Sequence, residues 1–280
     1  MRLISILCWL LAIVAQPAWA ASSPALQPLE RQLAALVAAS PGDVGVAALD
    51  LKSGELVSIN GDEPFPMASV VKVAIAANYF AQVEYGRRSL NDSIGGRSAS
   101  RLIEAMLVHS DNYATDLLLR DLGGPRTVQA WLTQKGVTGV RIDRSIAQLL
   151  RARRDLHDIR DSSTPRGMVE LLQQIDSGQM VGRSSRSHLL YLMSRCHTGR
   201  NRIRGLLPYG TQVENKTGTL SGLSTDVGFI TLPDGRRIAV AFFARGGTNR
   251  PRTIAEAARA IYYGFATALR SPFTAAYGTP

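Results

Sequence analysis

Apolar residues recur at helical spacing over residues 26–39, and the run ends at Ser40-Pro41-Gly42, a stop signal. A short apolar stretch, 44–49, follows. Lys52-Ser53-Gly54 then turns the chain and 55–59 returns beside it, which predicts a β-hairpin. From 69 to 175 the pattern is mostly helical. Residues 70–80 are apolar on almost every face, the mark of a buried helix, while Pro125 and Thr164-Pro165 sit where helices start. Strand character returns at 212–217, 227–232 and 237–244, with Pro233-Asp234-Gly235 as a turn, and 254–269 reads as a closing amphipathic helix. Strands at both ends with helices between them predict an α/β fold of the α+β type. One antiparallel sheet is built from both termini, flanked by helices, with an all-helical lobe inserted. The expected division is a signal segment at 1–20 and one domain at 21–280. Within that domain, 21–65 and 200–280 form the sheet-bearing lobe and 66–199 the helical lobe. Residues 139–163, poorly periodic and strongly charged, read as an ordered surface loop.

Composition narrows the class. With 45% hydrophobic and 19% charged residues in 280 positions, the chain has an ordinary globular make-up, which excludes a disordered or fibrous protein. The net charge is +10, yet only four of the 32 basic residues are lysines: Lys52, Lys72, Lys135 and Lys216. The arginines are spread along the chain, with one cluster at Arg151, Arg153 and Arg154, so no nucleic-acid partner is expected. The surface favours anionic partners. Met1-Arg2, an apolar run from 3 to 14 and Ala18-Trp19-Ala20 have the form of an export signal, placing the mature protein in the periplasm or outside the cell. No other stretch approaches the ~18 apolar residues of a spanning helix, so stable membrane insertion is not expected. Cys8 falls in the signal, leaving Cys196 as an unpaired thiol and no disulfide framework. The four histidines are scattered and no paired-cysteine spacing occurs, so neither a metal nor a cofactor is expected.

The chemistry lies in three short motifs. Ser69-Val70-Val71-Lys72 opens the buried helical segment, and a spacing of three puts the hydroxyl and the amine on one face. A lysine there needs a reason, because burying an unpaired ammonium is costly. Ser69 would be a nucleophile beside an amine able to take its proton, at the positive end of a helix. Alone the motif says little, since with 23 serines and four lysines roughly a third of such chains carry it by accident. Ser110-Asp111-Asn112 at the start of a helical run and Lys216-Thr217-Gly218 on a late strand change that. All three together arise by chance in about one chain in several thousand. The bland readings are a helix cap at Ser110, an edge-strand charge at Lys216 and a bulge at Gly218.

On these motifs the chain resembles the class A β-lactamases and related penicillin-recognising serine enzymes, whose signature they are. The likeness spans nearly all of the mature chain, including Arg141-Ile142-Asp143-Arg144 at the entry to the surface loop and Asp161-Ser162-Ser163-Thr164-Pro165 at its exit. It implies a β-lactamase/transpeptidase-like fold whose loop is closed by Arg144 and Asp161. By the same likeness Ser69 is acylated, Lys72 activates it, and Ser110 relays a proton to the leaving nitrogen. Asn112 holds the substrate amide, Lys216 and Thr217 bind the substrate carboxylate, and Gly218 completes that motif. Thr219 shares the oxyanion hole with the Ser69 N–H. Lys216 would lower the Lys72 pKa by like-charge repulsion. The substrate implied is a small β-lactam or a D-alanyl peptide, handled by a monomer.

Three departures stand out. The family's deacylating glutamate and the asparagine four residues on fall at Ile146 and Leu150, and no glutamate occurs between Glu104 and Glu170. If the match slips by the loop's extra residues, Asp155 or Asp158 is the carboxylate that approaches the site instead. The stretch from Lys72 to Ser110 is short, which opens one wall of the entrance. The arginine expected on the strand after Lys216-Thr217-Gly218 is replaced by Thr225, with Arg245 as its expected substitute. The expectation is a β-lactam hydrolase. The alternatives are a D,D-peptidase or esterase with slow deacylation and a non-catalytic sensor that keeps its acyl group. A Ser-His-Asp esterase is disfavoured because Gly-x-Ser-x-Gly is absent.

Overall fold

The computed structural model describes residues 23–268, so the expected export signal lies outside the described residues. Helix α1 (Gln27–Ala38) starts with a proline in its first turn, and the hairpin follows as β1 (Asp43–Asp50) and β2 (Leu56–Ile59), with Val46 opposite Ile59. A two-residue strand β3 (Phe65–Pro66) leads into a 3-10 turn, Ala68–Val71, and then α2 (Lys72–Glu84). The helical lobe continues with the small hairpin β4 (Ser93–Ile94) and β5 (Arg97–Ser98), then α3 (Ala99–Val108), α4 (Asn112–Asp121) and α5 (Pro125–Gln134). After α6 (Ile146–Arg151) and β6 (Ser162–Ser163) come α7 (Pro165–Asp176) and α8 (Arg183–Ser194). The chain ends in β7 (Val213–Leu220), β8 (Leu223–Thr231), β9 (Arg237–Arg245) and α9 (Arg250–Ala268).

The five long strands form one antiparallel sheet in the order β2-β1-β9-β8-β7, so the N-terminal hairpin and the C-terminal strands meet at β1 and β9 as expected. Both faces are covered, and β9 shows how. Val240, Phe242 and Ala244 alternate toward a core shared with Leu33 of α1 and with Ile261 and Phe265 of α9. Ala239, Ala241 and Phe243 face the core of the helical lobe. The site strand β7 is the last in the order.

Two predicted features take a different form. The segment from Ser69 begins as a 3-10 turn and becomes α-helical only at Lys72. The loop 139–163 contains α6, started by a capping box in which Ser145 and Gln148 satisfy each other's backbone N–H groups. Helix α8 was not anticipated, because only Leu189, Leu192 and Met193 are apolar and buried on an otherwise polar segment that opens Arg183-Ser184-Ser185-Arg186.

The loop is closed as expected: Arg144 Nε meets Asp161 at 2.5 Å, and the other Asp161 oxygen accepts the N–H groups of Asp143 (2.8 Å) and Arg144 (2.9 Å). Its exit strand β6 pairs with β3, and Met67 N donates to Asp161 O at 2.9 Å. The loop is therefore fastened to the chain two residues before Ser69.

Candidate active site

The turn that carries Ser69 is held from three directions. Val70 and Val71 are buried behind it, β3 ties it to the loop, and the Thr225 hydroxyl donates to Met67 O at 3.1 Å. Ala68 is forced to φ +50°, a conformation that costs about 1–3 kcal/mol outside glycine and that the surrounding contacts must offset. Ser69 is left half-buried. Gly218 is a place of close approach rather than a bulge. A β-carbon there would lie 2.7 Å from Met67 O and 2.9 Å from Ser69 N, so only glycine lets β7 pass this near the Ser69 backbone.

Lys72 and Lys216 are both fully buried, and their ammonium groups converge on one hydroxyl. Ser110 Oγ accepts from Lys72 Nζ at 3.2 Å and from Lys216 Nζ at 3.0 Å. Lys72 also donates to Ser110 O (2.8 Å) and Asn112 Oδ1 (2.8 Å), and Lys216 to Thr217 O (2.7 Å). Among the described residues, neither amine forms an ion pair. Asp111, not Ser110, caps α4 by accepting the Ala114 N–H at 2.9 Å, while Ser110 sits at φ +59° with its carbonyl turned to Lys72.

Burial without a counter-ion lowers the pKa of Lys72 to about 7, with the nearby Lys216 charge as the second cause and Asp111 and Asp116 opposing both. The expected like-charge effect is present, but desolvation is the larger cause. Burial also brings Lys216 down to about 8. Behind β7 the carboxyl of Asp226, on β8, is raised by burial to about 7, although Asn215 Nδ2 donates to it at 2.8 Å.

The residue that sequence reasoning missed is Arg202. It is nearly buried; Nη1 donates to Gly218 O (2.7 Å) and Thr225 O (2.8 Å), and Nη2 to Thr219 Oγ1 (2.6 Å). Thr217 lies beside it, its hydroxyl hydrogen-bonded to that of Thr198. The donors of this guanidinium are spent on β7 and β8, which it braces behind Gly218 and Thr219. Arg245, the expected substitute at Thr225, does not serve the site. Its head is bound to Asp43 (2.9 Å), to Glu63 and to Pro64 O (3.0 Å), and stacks 4.7 Å over Phe65, so it anchors the loop rather than serving the site. Nothing in the sequence around Arg202, set in a run of arginines from Arg195 to Arg204, distinguishes it.

On the loop side, Ile146 is buried and its N–H donates to Asp116 Oδ1 at 2.7 Å, with Ala147 N on Oδ2 at 2.9 Å. Asp116 thus fastens the start of α6 to α4, one turn beyond Asn112 on the same helix face. Asp158 is occupied by Arg160 (2.8 Å) and Arg144 (3.2 Å), and Asp155 caps its own turn through His157 N at 2.8 Å. Cys196 is buried and free, and His109 ends α3.

Comparison with known proteins identifies the family. Residues 28–265 match the profile of the β-lactamase enzyme family. The extended-spectrum β-lactamase PER-1 of Pseudomonas aeruginosa is 30% identical over 84% of this chain and 86% of its own. The carbapenem-hydrolysing β-lactamase KPC of Klebsiella oxytoca is 32% identical over 73% and 76%. Among solved structures, an ancestral class A β-lactamase (GNCA) superposes with TM-score 0.80 at 32% identity, covering 85% of this chain and 100% of the other. A β-lactamase from Chitinophaga pinensis gives 0.79 at 27% identity over 85% and 99%. The strand order, the buried amine pair and the closed loop thus sit in a chain that belongs to the β-lactamase enzyme family, of the class A type.

Proposed function

We propose that this chain opens β-lactam amides by way of an acyl-enzyme on Ser69. The observation that carries the assignment is the convergence of two buried amines on Ser110 Oγ, at 3.2 and 3.0 Å. A serine hydroxyl has two acceptor lone pairs and one proton. With both lone pairs taken by Lys72 and Lys216, the proton is left to point at a leaving nitrogen. Lys72, neutral in a large fraction of molecules near pH 7, takes the Ser69 proton as Oγ attacks the lactam carbonyl. The carbonyl oxygen is received by the N–H groups of Ser69 and Thr219. Lys72 then returns a proton through Ser110 to the nitrogen as the C–N bond breaks. Asn112 holds the substrate amide, and Lys216 and Thr217 receive the substrate carboxylate. The expected export signal at 1–20 puts this activity in the periplasm or outside the cell, in a monomer.

A second reading, slow release as in a D,D-peptidase or an acyl-bearing sensor, is favoured by one observation. By the family resemblance Ile146 stands at the loop glutamate's position, and Asp155 and Asp158 are engaged within the loop. Incubation with a chromogenic cephalosporin followed by intact-mass measurement separates the two. Sustained turnover supports the hydrolase; a stable one-to-one adduct supports the second reading. An adduct that still forms in Ser69→Ala overturns the assignment of the nucleophile.

A further inference from the structure

The rim of the cleft beyond Leu220 carries charge that the reaction does not use. A shallow recess lies between the loop and the site, walled by Pro66, three residues before Ser69, and by Leu220, two residues after Gly218. Its volume is about 20 Å³, room for roughly one water molecule, so a ligand group would be held by the rim rather than swallowed. Four arginines line it, Arg144, Arg153, Arg154 and Arg160, beside Asp155 and Asp158. Arg144 and Arg160 are spent on Asp158 and Asp161. Arg153 and Arg154 are exposed and, among the described residues, neither has a hydrogen-bond or ion-pair partner. The segment is nevertheless fixed: Leu156 packs against Gly222 in the β7–β8 turn, and its carbonyl accepts from Arg245 at 3.4 Å.

Substrate orientation makes this position meaningful. With the leaving nitrogen at Ser110 and the ring carboxylate toward Lys216 and Thr217, the acyl half of a bound β-lactam runs along β7 toward Leu220. We propose that Arg153 and Arg154 form a subsite for an anionic group on the acyl side chain, so that β-lactams with a side-chain carboxylate are preferred. Two adjacent unpaired guanidiniums supply the forked donors that carboxylates take, and both are too exposed to escape screening. The proposal rests on Ser69 being acylated in the orientation given above.

The test compares benzylpenicillin with its α-carboxy counterpart, which differs by one carboxylate, as the second-order rate constants for acylating the full-length mature protein. The ratio should favour the dianion at low salt and fall toward unity at 0.5 M NaCl. In R153A/R154A it should fall about tenfold. A ratio insensitive to both salt and the double substitution overturns the proposal. A wild-type protein that neither penicillin acylates overturns the underlying assignment instead, and the mass measurement shows which has failed.

Discussion

At the residue scale, two amines are taken out of water and share one hydroxyl. If Lys72 must be neutral to accept the Ser69 proton, acid pH protonates it and removes the base. Below its pKa of about 7 the acylation rate is expected to fall roughly tenfold per pH unit, which stopped-flow acylation from pH 5 to 8 would show. A rate independent of pH across that range would contradict the role. Gly218→Ala would push a methyl group against Met67 O and Ser69 N. Overpacking of this kind costs about 1–3 kcal/mol, and a displaced nucleophile loses roughly a hundredfold in rate. Thermal melts and acylation kinetics of that variant should show both effects. The meeting of Lys72, Ser110 and Lys216 was legible because their motifs are short and contiguous. Arg202 was not, since it reaches the site from outside any motif and looks like its arginine neighbours until the fold places it under Gly218 and Thr219.

At the element scale, most of the fold could be read because caps and turns agree with periodicity. Thr164 caps α7, proline opens α1 and α5, and the hairpin turn falls where Lys52-Ser53-Gly54 stands. Helix α6 was hidden because it has six residues, too few for a hydrophobic period, and only its capping box betrays it. The closed loop depends on one carboxylate. Asp161, nearly buried, takes two backbone N–H groups and the Arg144 guanidinium. Asp161→Ala leaves the two N–H groups and Arg144 Nε unpaired, although Arg144 keeps Asp158, at a cost of about 3–5 kcal/mol. At roughly 2–4 °C per kcal/mol the melting temperature should drop by about 10 °C. Unchanged stability would mean that the loop closes by other contacts.

At the scale of the whole molecule, the two halves of the sheet come from opposite ends of the chain and are locked at their far corner. Arg236, in the β8–β9 turn, pairs with the fully buried Asp50 of β1 at 2.8 Å and donates to Phe265 O of α9 at 2.9 Å. Arg236→Ala strands the Asp50 charge and should lower stability by about 3 kcal/mol. The clamp lies away from the residues that meet Ser110, so acylation kinetics at 25 °C should stay within about twofold. A large kinetic loss would show that the corner and the cleft are coupled. Sheet closure was foreseeable from strands at both termini. The clamp was not, because an arginine in a turn and an aspartate ending a strand are ordinary until the two are brought together.

The pairing of β3 with β6, together with the Met67–Asp161 hydrogen bond, has a consequence for how the protein opens. Amide protons on both sides of that seam can exchange with solvent only when the loop exit and the segment ahead of the nucleophile part together. They should therefore share one opening free energy, distinct from that of residues 152–159. Deuterium uptake would follow a single protection class across Phe65, Met67 and residues 161–163. Any solvent condition that frees the loop exit would then dismantle the support of Ser69 in the same cooperative event.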